Sequence, residues 1–87
     1  MVDKKVIVTN PKGLHARPSA LITKTANEYV STVHLIRETV RANAKAVMEI
    51  LMLCAQSGSE IRIETDGPDQ EEALAAVEKA ILTEFRD

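Results

Sequence analysis

The sequence predicts an α+β fold, an open two-layer sandwich with one antiparallel four-stranded sheet and helices covering one face, in the order βαββαβα. Three observations lead there. Thr32 to Ile36 and Ser59 to Thr65 alternate apolar and polar residues with the two-residue period of half-buried strands. Two other stretches repeat apolar residues at helical spacing, a third, Ala46 to Ala55, is apolar almost all round, and all three fall between or after strand runs. The chain has 87 residues, enough for one small core, so a single domain spanning 1–87 is expected.

The elements follow in order. Lys5-Val6-Ile7-Val8-Thr9 is rich in β-branched residues and reads as the first strand. Asn10-Pro11-Lys12-Gly13 is turn chemistry. A helix is expected from Ala16 to Glu28, with Ile22, Ala26 and Tyr29 facing the core and Ala20, Lys24 and Asn27 on an exposed neighbouring face. In the second strand Val33 and Leu35 point inward, and His34 points to the other sheet surface. Arg37-Glu38 turns into a short third strand from Thr39 to Ala42. Ala46 to Ala55 is apolar almost all round, too short to span a bilayer and hard to bury on every side in so small a domain. The expected compromise puts Ile50, Leu53 and Cys54 inward. Val47, Met48, Leu51 and Met52 then face partly outward, as an apolar patch rimmed by Lys45 and Gln56. In the fourth strand, Ser59 to Thr65, Ile61 and Ile63 face the core while Glu60, Arg62 and Glu64 face out. Gly67-Pro68 breaks that strand, and Asp69 with Glu72 resembles a capping box opening the last helix. Leu74, Val77, Ile81 and Phe85 form its inner stripe.

Composition narrows the function classes. Residues 1–45 hold eight Lys/Arg against three Asp/Glu, and residues 46–87 hold three against ten. The basic front half suits phosphate or an acidic partner. It is too weakly charged for a nucleic-acid patch, and with one Tyr, one Phe and no Trp it has little with which to stack on bases. One cysteine, Cys54, excludes an internal disulfide and points to a reducing cytoplasm. No signal-peptide pattern or membrane-spanning run is present, so no membrane insertion is expected. His34 has no Cys or Asp/Glu partner at metal spacing, so neither a metal site nor a cofactor is expected.

The chemistry concentrates in Gly13-Leu14-His15-Ala16-Arg17-Pro18-Ser19. Glycine permits a tight turn, and proline stands in the first turn of the following helix, where no intrahelical N–H is needed. The N–H groups at that helix end point outward, the dipole adds positive charge, and Arg17 adds a full cation. An imidazole placed there is a nucleophile inside an anion site. The residues alone leave a second reading open, a surface histidine beside a helix N-terminus.

Gly13-Leu14-His15-Ala16-Arg17-Pro18 resembles the active-site motif of the HPr family, the histidine phosphocarriers of the bacterial phosphotransferase system. Lys45-Ala46-Val47-Met48, the apolar run after it and Gly58 resemble the family's second helix, and Gly67-Pro68-Asp69 the start of its third. The resemblance spans essentially the whole chain. It implies sheet order 1-4-2-3, with His15 at one end of the sheet beside the second helix. It also implies that enzyme I phosphorylates His15 on Nδ1 and that an enzyme IIA takes the group onward, in sugar uptake or a nitrogen branch.

Under that resemblance the backbone N–H groups of Ala16 and Arg17 hold phosphate oxygens, the Arg17 side chain stabilises the phosphoryl group, Gly13 lets the ring approach and Pro18 fixes the start of the helix. Ala20, Lys24, Asn27, Val47, Met48 and Leu51 would form the docking surface for transient partners. The implied protein is a monomeric cytoplasmic carrier and not an enzyme, since no second acid or base stands near the motif. The alternative is a regulatory binding module that uses the same surface without relaying phosphate. Two positions depart from the family. Relatives often have glycine in the turn where Glu38-Thr39 stands. Many Gram-positive relatives carry, after the lysine, a serine that a kinase phosphorylates; Ala46 has no hydroxyl to accept phosphate.

Overall fold

The computed structural model describes residues 1–85. Its elements are β1 (Val2–Ile7), α1 (Ala16–Ala26), β2 (Thr32–Arg37), β3 (Val40–Asn43), α2 (Val47–Met52), β4 (Glu60–Asp66) and α3 (Gln70–Leu82). The four strands form one sheet in the order β1-β4-β2-β3, with every neighbouring pair antiparallel. The predicted class, element order and sheet order all hold.

Register explains which residues make the core. Leu35 stands opposite Ile63 on one side and Ala42 on the other, and Val6 stands opposite Ile61. All five are buried, together with Ile22 and Ala26 of α1, Ile50 of α2, and Val77 and Ile81 of α3. Each fully buried Ile or Leu contributes about 1.5–3 kcal/mol of apolar transfer. Tyr29 and Leu74 pack against this cluster while partly exposed.

Several expectations shift. β1 begins at Val2, not Lys5, because Val2 and Lys4 lie on the core side opposite Thr65 and Ile63. Lys4 survives there by pairing with Glu78 of α3 at 2.8 Å, which also puts an inward charge on an edge strand and discourages edge-to-edge pairing. Val8 lies past the end of β1 but remains tied in, donating to Ser59 O and accepting from Gly58 N at 2.9 and 2.8 Å. α1 ends at Ala26; Glu28 and Tyr29 continue it only as a tightened turn, bonding to Thr25 O and Ala26 O. The β2–β3 hairpin closes over Glu38-Thr39, with Glu38 at φ 55° where glycine would be at ease, and β3 is displaced to Val40–Asn43.

α2 spans six residues, much shorter than the apolar run Ala46 to Ala55. Leu53 N and Cys54 N bond back to Ile50 O and Leu51 O, tightening the last turn, and Cys54 then takes φ 52°. A left-handed residue after a helix reverses the chain direction. Ile50 and Leu53 therefore stay buried, while Cys54, expected inward, is exposed.

Glu64 also departs from expectation. It lies on the sheet face away from the helices, yet it is nearly buried, with Arg41 at 2.8 Å and Arg62 at 3.1 Å closing over it. Asp69 stands at the N-cap of α3 but caps nothing with its side chain. Its carboxylate instead accepts from Val30 N at 3.0 Å, from Ser31 N at 2.9 Å and from the Ser31 hydroxyl, pinning the loop before β2.

Candidate functional site

The site loop is fixed by backbone contacts before any side chain is considered. Gly13 N donates to Asn10 O and Leu14 N to Ala55 O, both at 2.9 Å, so the loop is held against the segment leaving α2. Gly13 has φ 69°, and a Cβ there would lie 2.2 Å from Ala55 O and 2.7 Å from Gln56 Cα. Only glycine allows this approach. Leu14 is buried, and its carbonyl accepts from the buried Ser19 hydroxyl at 3.0 Å.

His15 follows as the N-cap of α1, extended at φ −77° and ψ −167°, and its side chain does not cap the helix. Its carbonyl accepts the first intrahelical bond, from Ser19 N at 3.0 Å. Pro18, the third helical residue, has no N–H to offer. The first turn therefore directs two N–H groups, those of Ala16 and Arg17, outward from the helix end beside the imidazole. His15 is half-buried, Ala16 and Arg17 are exposed and Pro18 is buried. A helix end of this kind favours an anion.

Two residues of this region were not legible as such. Phe85 was expected on the inner stripe of α3, but the helix ends at Leu82 and Thr83 is extended, with ψ 129°. The chain turns away there and sets the Phe85 ring against Arg17, whose guanidinium carbon lies over the ring 4.9 Å from its centroid. Asn10 is 1% exposed, and its Oδ1 accepts the Phe85 N–H at 3.2 Å. The i+4 spacing from Ile81 suggested a core position for Phe85. Nothing local to the sequence marked it otherwise.

Ala20, Lys24 and Asn27 are exposed along α1, as expected. The Asn27 amide donates to Thr23 O at 2.9 Å and to Lys45 O at 3.3 Å, linking this helix to the start of α2. On α2, Met48 is 65% and Met52 72% exposed, while Val47 and Leu51 are half-buried. Lys45 is less of a rim than expected, since its ammonium turns back to donate to Tyr29 O at 2.8 Å. Ala46 is the N-cap of α2 and provides no side-chain cap. His34 is half-buried on the open sheet face, opposite Glu64 and Asn43 and on a different element from the His15 loop. Among the described residues, no three His, Cys, Asp or Glu gather as a metal site, and no helix is long and apolar enough to cross a membrane.

Comparison with known proteins bears on this geometry. A family model described as the PTS HPr component phosphorylation site matches residues 2–82. The phosphocarrier protein HPr of Treponema pallidum (strain Nichols) is 41% identical over 87 residues, covering 100% of this chain and 99% of that protein. The crystal structure of a phosphocarrier protein HPr from Bacillus anthracis str. Ames has a TM-score of 0.86 at 39% identity, covering 91% of this chain and 94% of that one. Crh of Bacillus subtilis, whose crystal structure is described as a swapped-domain dimer, has a TM-score of 0.70 at 36% identity, covering 95% and 99%.

Proposed function

The chain belongs to the HPr family of phosphocarriers, and from that premise we propose that His15 accepts a phosphoryl group from phospho-enzyme I and passes it to an enzyme IIA. The observation that carries the reading is the position of His15 as N-cap of α1, with the N–H groups of Ala16 and Arg17 directed out of the same helix end. The lone pair of Nδ1 attacks phosphorus, the bond from phosphorus to the donor breaks, and the reverse sequence delivers the group to the acceptor. No water is consumed. The oxygens of the transferred group carry negative charge throughout, and the helix end with the Arg17 guanidinium answers it.

Partner docking is assigned to Ala20, Lys24 and Asn27 on α1 together with Val47, Met48 and Leu51 on α2. The exposure of Met48 beside the half-buried Val47 and Leu51 supports this. Such a surface suits a transient complex of modest area. Ala46 offers no hydroxyl where many relatives carry a regulatory serine, so kinase control at this position is absent in this reading. One chain closes its own core, which supports a monomeric carrier, and the lone Cys54 together with the family supports a cytoplasmic one. Because the Crh relative is described as a swapped dimer, size-exclusion chromatography belongs beside the functional test.

That test incubates the protein with phosphoenolpyruvate and enzyme I and reads intact mass before and after acid. One acid-labile phosphoryl group is expected on the native protein and none on His15→Ala, whose stability should change by no more than about 0.5 kcal/mol. Undiminished acid-labile phosphorylation of that variant defeats the assignment. A native protein that docks partners but never takes phosphate favours the regulatory binding module.

A further inference from the structure

We propose that Asn10 is a positioning residue for His15: its side chain anchors the turn that opens the His15 loop to the end of the chain, beyond α3. The inference rests on the proposed relay at His15 and adds a second anchor for the loop that carries the nucleophile, beside the one at Ala55.

The loop begins with a tight turn, Asn10-Pro11-Lys12-Gly13, closed by Gly13 N–H donating to Asn10 O at 2.9 Å. Asparagine in the first position and proline in the second suit such a turn, and both act locally. The Asn10 side chain also acts at long range. Thr83 leaves helical geometry at φ −67° and ψ 129°, and Oδ1 of Asn10 accepts Phe85 N–H at 3.2 Å, across 75 positions of sequence. One residue thus carries two bonds, one closing the turn and one fixing where the turn stands against the end of the chain. Asn10 is 1% exposed, and its Nδ2 has no partner among the described residues. An orphaned buried donor costs stability. An apolar side chain of similar size would avoid that cost and leave the backbone bond to Gly13 in place, but it could not accept from Phe85. The burial of the amide is accounted for by that tie.

From this anchor to His15 the chain has little freedom. Gly13 N–H and Leu14 N–H are both bonded, Leu14 is buried, and His15 follows as the N-cap of α1. The loop is therefore held at Leu14 by Ala55 and at its first residue by the end of the chain. With the Asn10 anchor released, the turn can shift about the bond from Leu14 to Ala55, and His15 shifts with it. Transfer needs the attacking nitrogen close to phosphorus and in line with the breaking bond, so a small displacement is read in the chemical step. The docking residues on α1 and α2 are not altered. Losing the hold of one hydrogen bond corresponds to roughly two- to tenfold in rate.

The experiment breaks the tie from each side. Asn10→Leu removes the acceptor and the orphaned donor together at similar size, so its Tm should be native or higher. In steady-state transfer from phospho-enzyme I, kcat should nevertheless fall by about two- to tenfold with KM little changed. A second readout is independent of transfer. Hydrogen exchange of the Gly13 and Leu14 amides should quicken relative to Ala44, whose N–H is bonded to Val33 O elsewhere in the sheet. Phe85→Pro removes the donor and leaves Asn10 in place; it should reproduce both effects, and the double variant should be no worse than either single one. Phe85→Leu keeps the N–H and loses the ring, and should keep native exchange at Gly13. Native kcat or native Gly13 exchange in Asn10→Leu, a loss confined to KM, or a loss that only follows a lowered Tm overturns the proposal while leaving the relay intact. Should Asn10→Leu fail to fold, Phe85→Pro set against Phe85→Leu decides by the same readouts. If the native protein takes no phosphoryl group, the functional reading fails, and Gly13 exchange alone decides whether Asn10 anchors the loop.

Discussion

Gly13→Ala should separate backbone strain from the close approach that holds the site loop. At φ 69° an L-residue incurs about 1–2 kcal/mol, partly offset by about 0.4–1 kcal/mol because alanine restricts the unfolded chain. The added Cβ would also stand 2.2 Å from Ala55 O and 2.7 Å from Gln56 Cα. Both neighbours are backbone, so no side-chain rotation relieves the overlap. The loop must move, and overpacking of this kind costs about 1–3 kcal/mol. Movement also strains the Leu14 N to Ala55 O bond, now 2.9 Å, which is worth about 1 kcal/mol net. The total is a loss of roughly 2–5.5 kcal/mol, or about 12–33 °C in Tm for a domain of this size. Gly58 is the control: its φ is 90°, but nothing lies within 4 Å of where its Cβ would stand. Gly58→Ala should lose only the strain component, about 0–1.6 kcal/mol. Urea melts of both variants give the difference, and phosphoryl transfer well below each midpoint should be impaired in Gly13→Ala alone. Equal stability losses with equal transfer would refute the claim that contact with Ala55 and Gln56 holds the loop in place.

Met48→Glu should weaken enzyme I binding while changing stability by no more than about 0.5 kcal/mol, whereas Ile50→Ala should destabilise by about 2–5 kcal/mol; calorimetric binding and thermal melts of both check the split between the two faces of α2. Ala46→Ser introduces a side-chain oxygen at an N-cap that has none and should stabilise the protein by about 0.5–2 kcal/mol in urea melts. The Ser31 hydroxyl, then Val30 N–H and Ser31 N–H, hold the Asp69 carboxyl below its ordinary value. A lowered folded-state value means that this stabilisation is present above the unfolded value and is lost as pH falls through the folded one. Below about pH 4 the native Tm should drop more steeply than that of Asp69→Asn, and parallel slopes in melts from pH 6 to pH 2.5 would contradict this.

What was legible in the sequence was what a single periodicity encodes. Val33 and Leu35, or Ile61 and Ile63, sit two apart on strands whose other face is polar, and their burial follows directly. Ile50 and Leu53 were separable from Met48 by helical angle alone. The motif around His15 marked its own helix start, because proline is favoured in a first turn and the glycine before it permits the turn that leads in.

The misses share a different cause. Cys54 turns outward because its backbone is left-handed, and hydrophobicity carries no information about handedness. β1 starts before Lys5 because Val2 and Lys4 stand opposite Thr65 and Ile63 of β4, residues distant in sequence. Asp69 has the composition of a cap, but the donors of Val30 and Ser31 claim its carboxylate. Phe85 fits the stripe of α3 by spacing and leaves it because the helix stops at Leu82. Each depends on a partner or a backbone angle that no local pattern specifies.

On the proposed reading, the contacts around the His15 loop also bear on how one small surface would serve two partners. The His15 loop is tied to the end of α2 through the bond from Leu14 N to Ala55 O, and Gly13 lets the two backbones come into direct contact. On the proposed reading, a partner seated on α2 therefore meets the imidazole at a fixed offset, and docking alone aligns donor, phosphorus and acceptor. The docking face itself needs the opposite property, since enzyme I and an enzyme IIA need not present the same contours to it. Met48 and Met52, unbranched and more than half exposed, can repack against different neighbours without moving the helix beneath them. Rigidity resides in the backbone of residues 13–15 and 55–56, and adaptability in the methionines one turn away. Stiffening the face, for example with a β-branched residue in place of Met52, should cost affinity for one partner more than for the other.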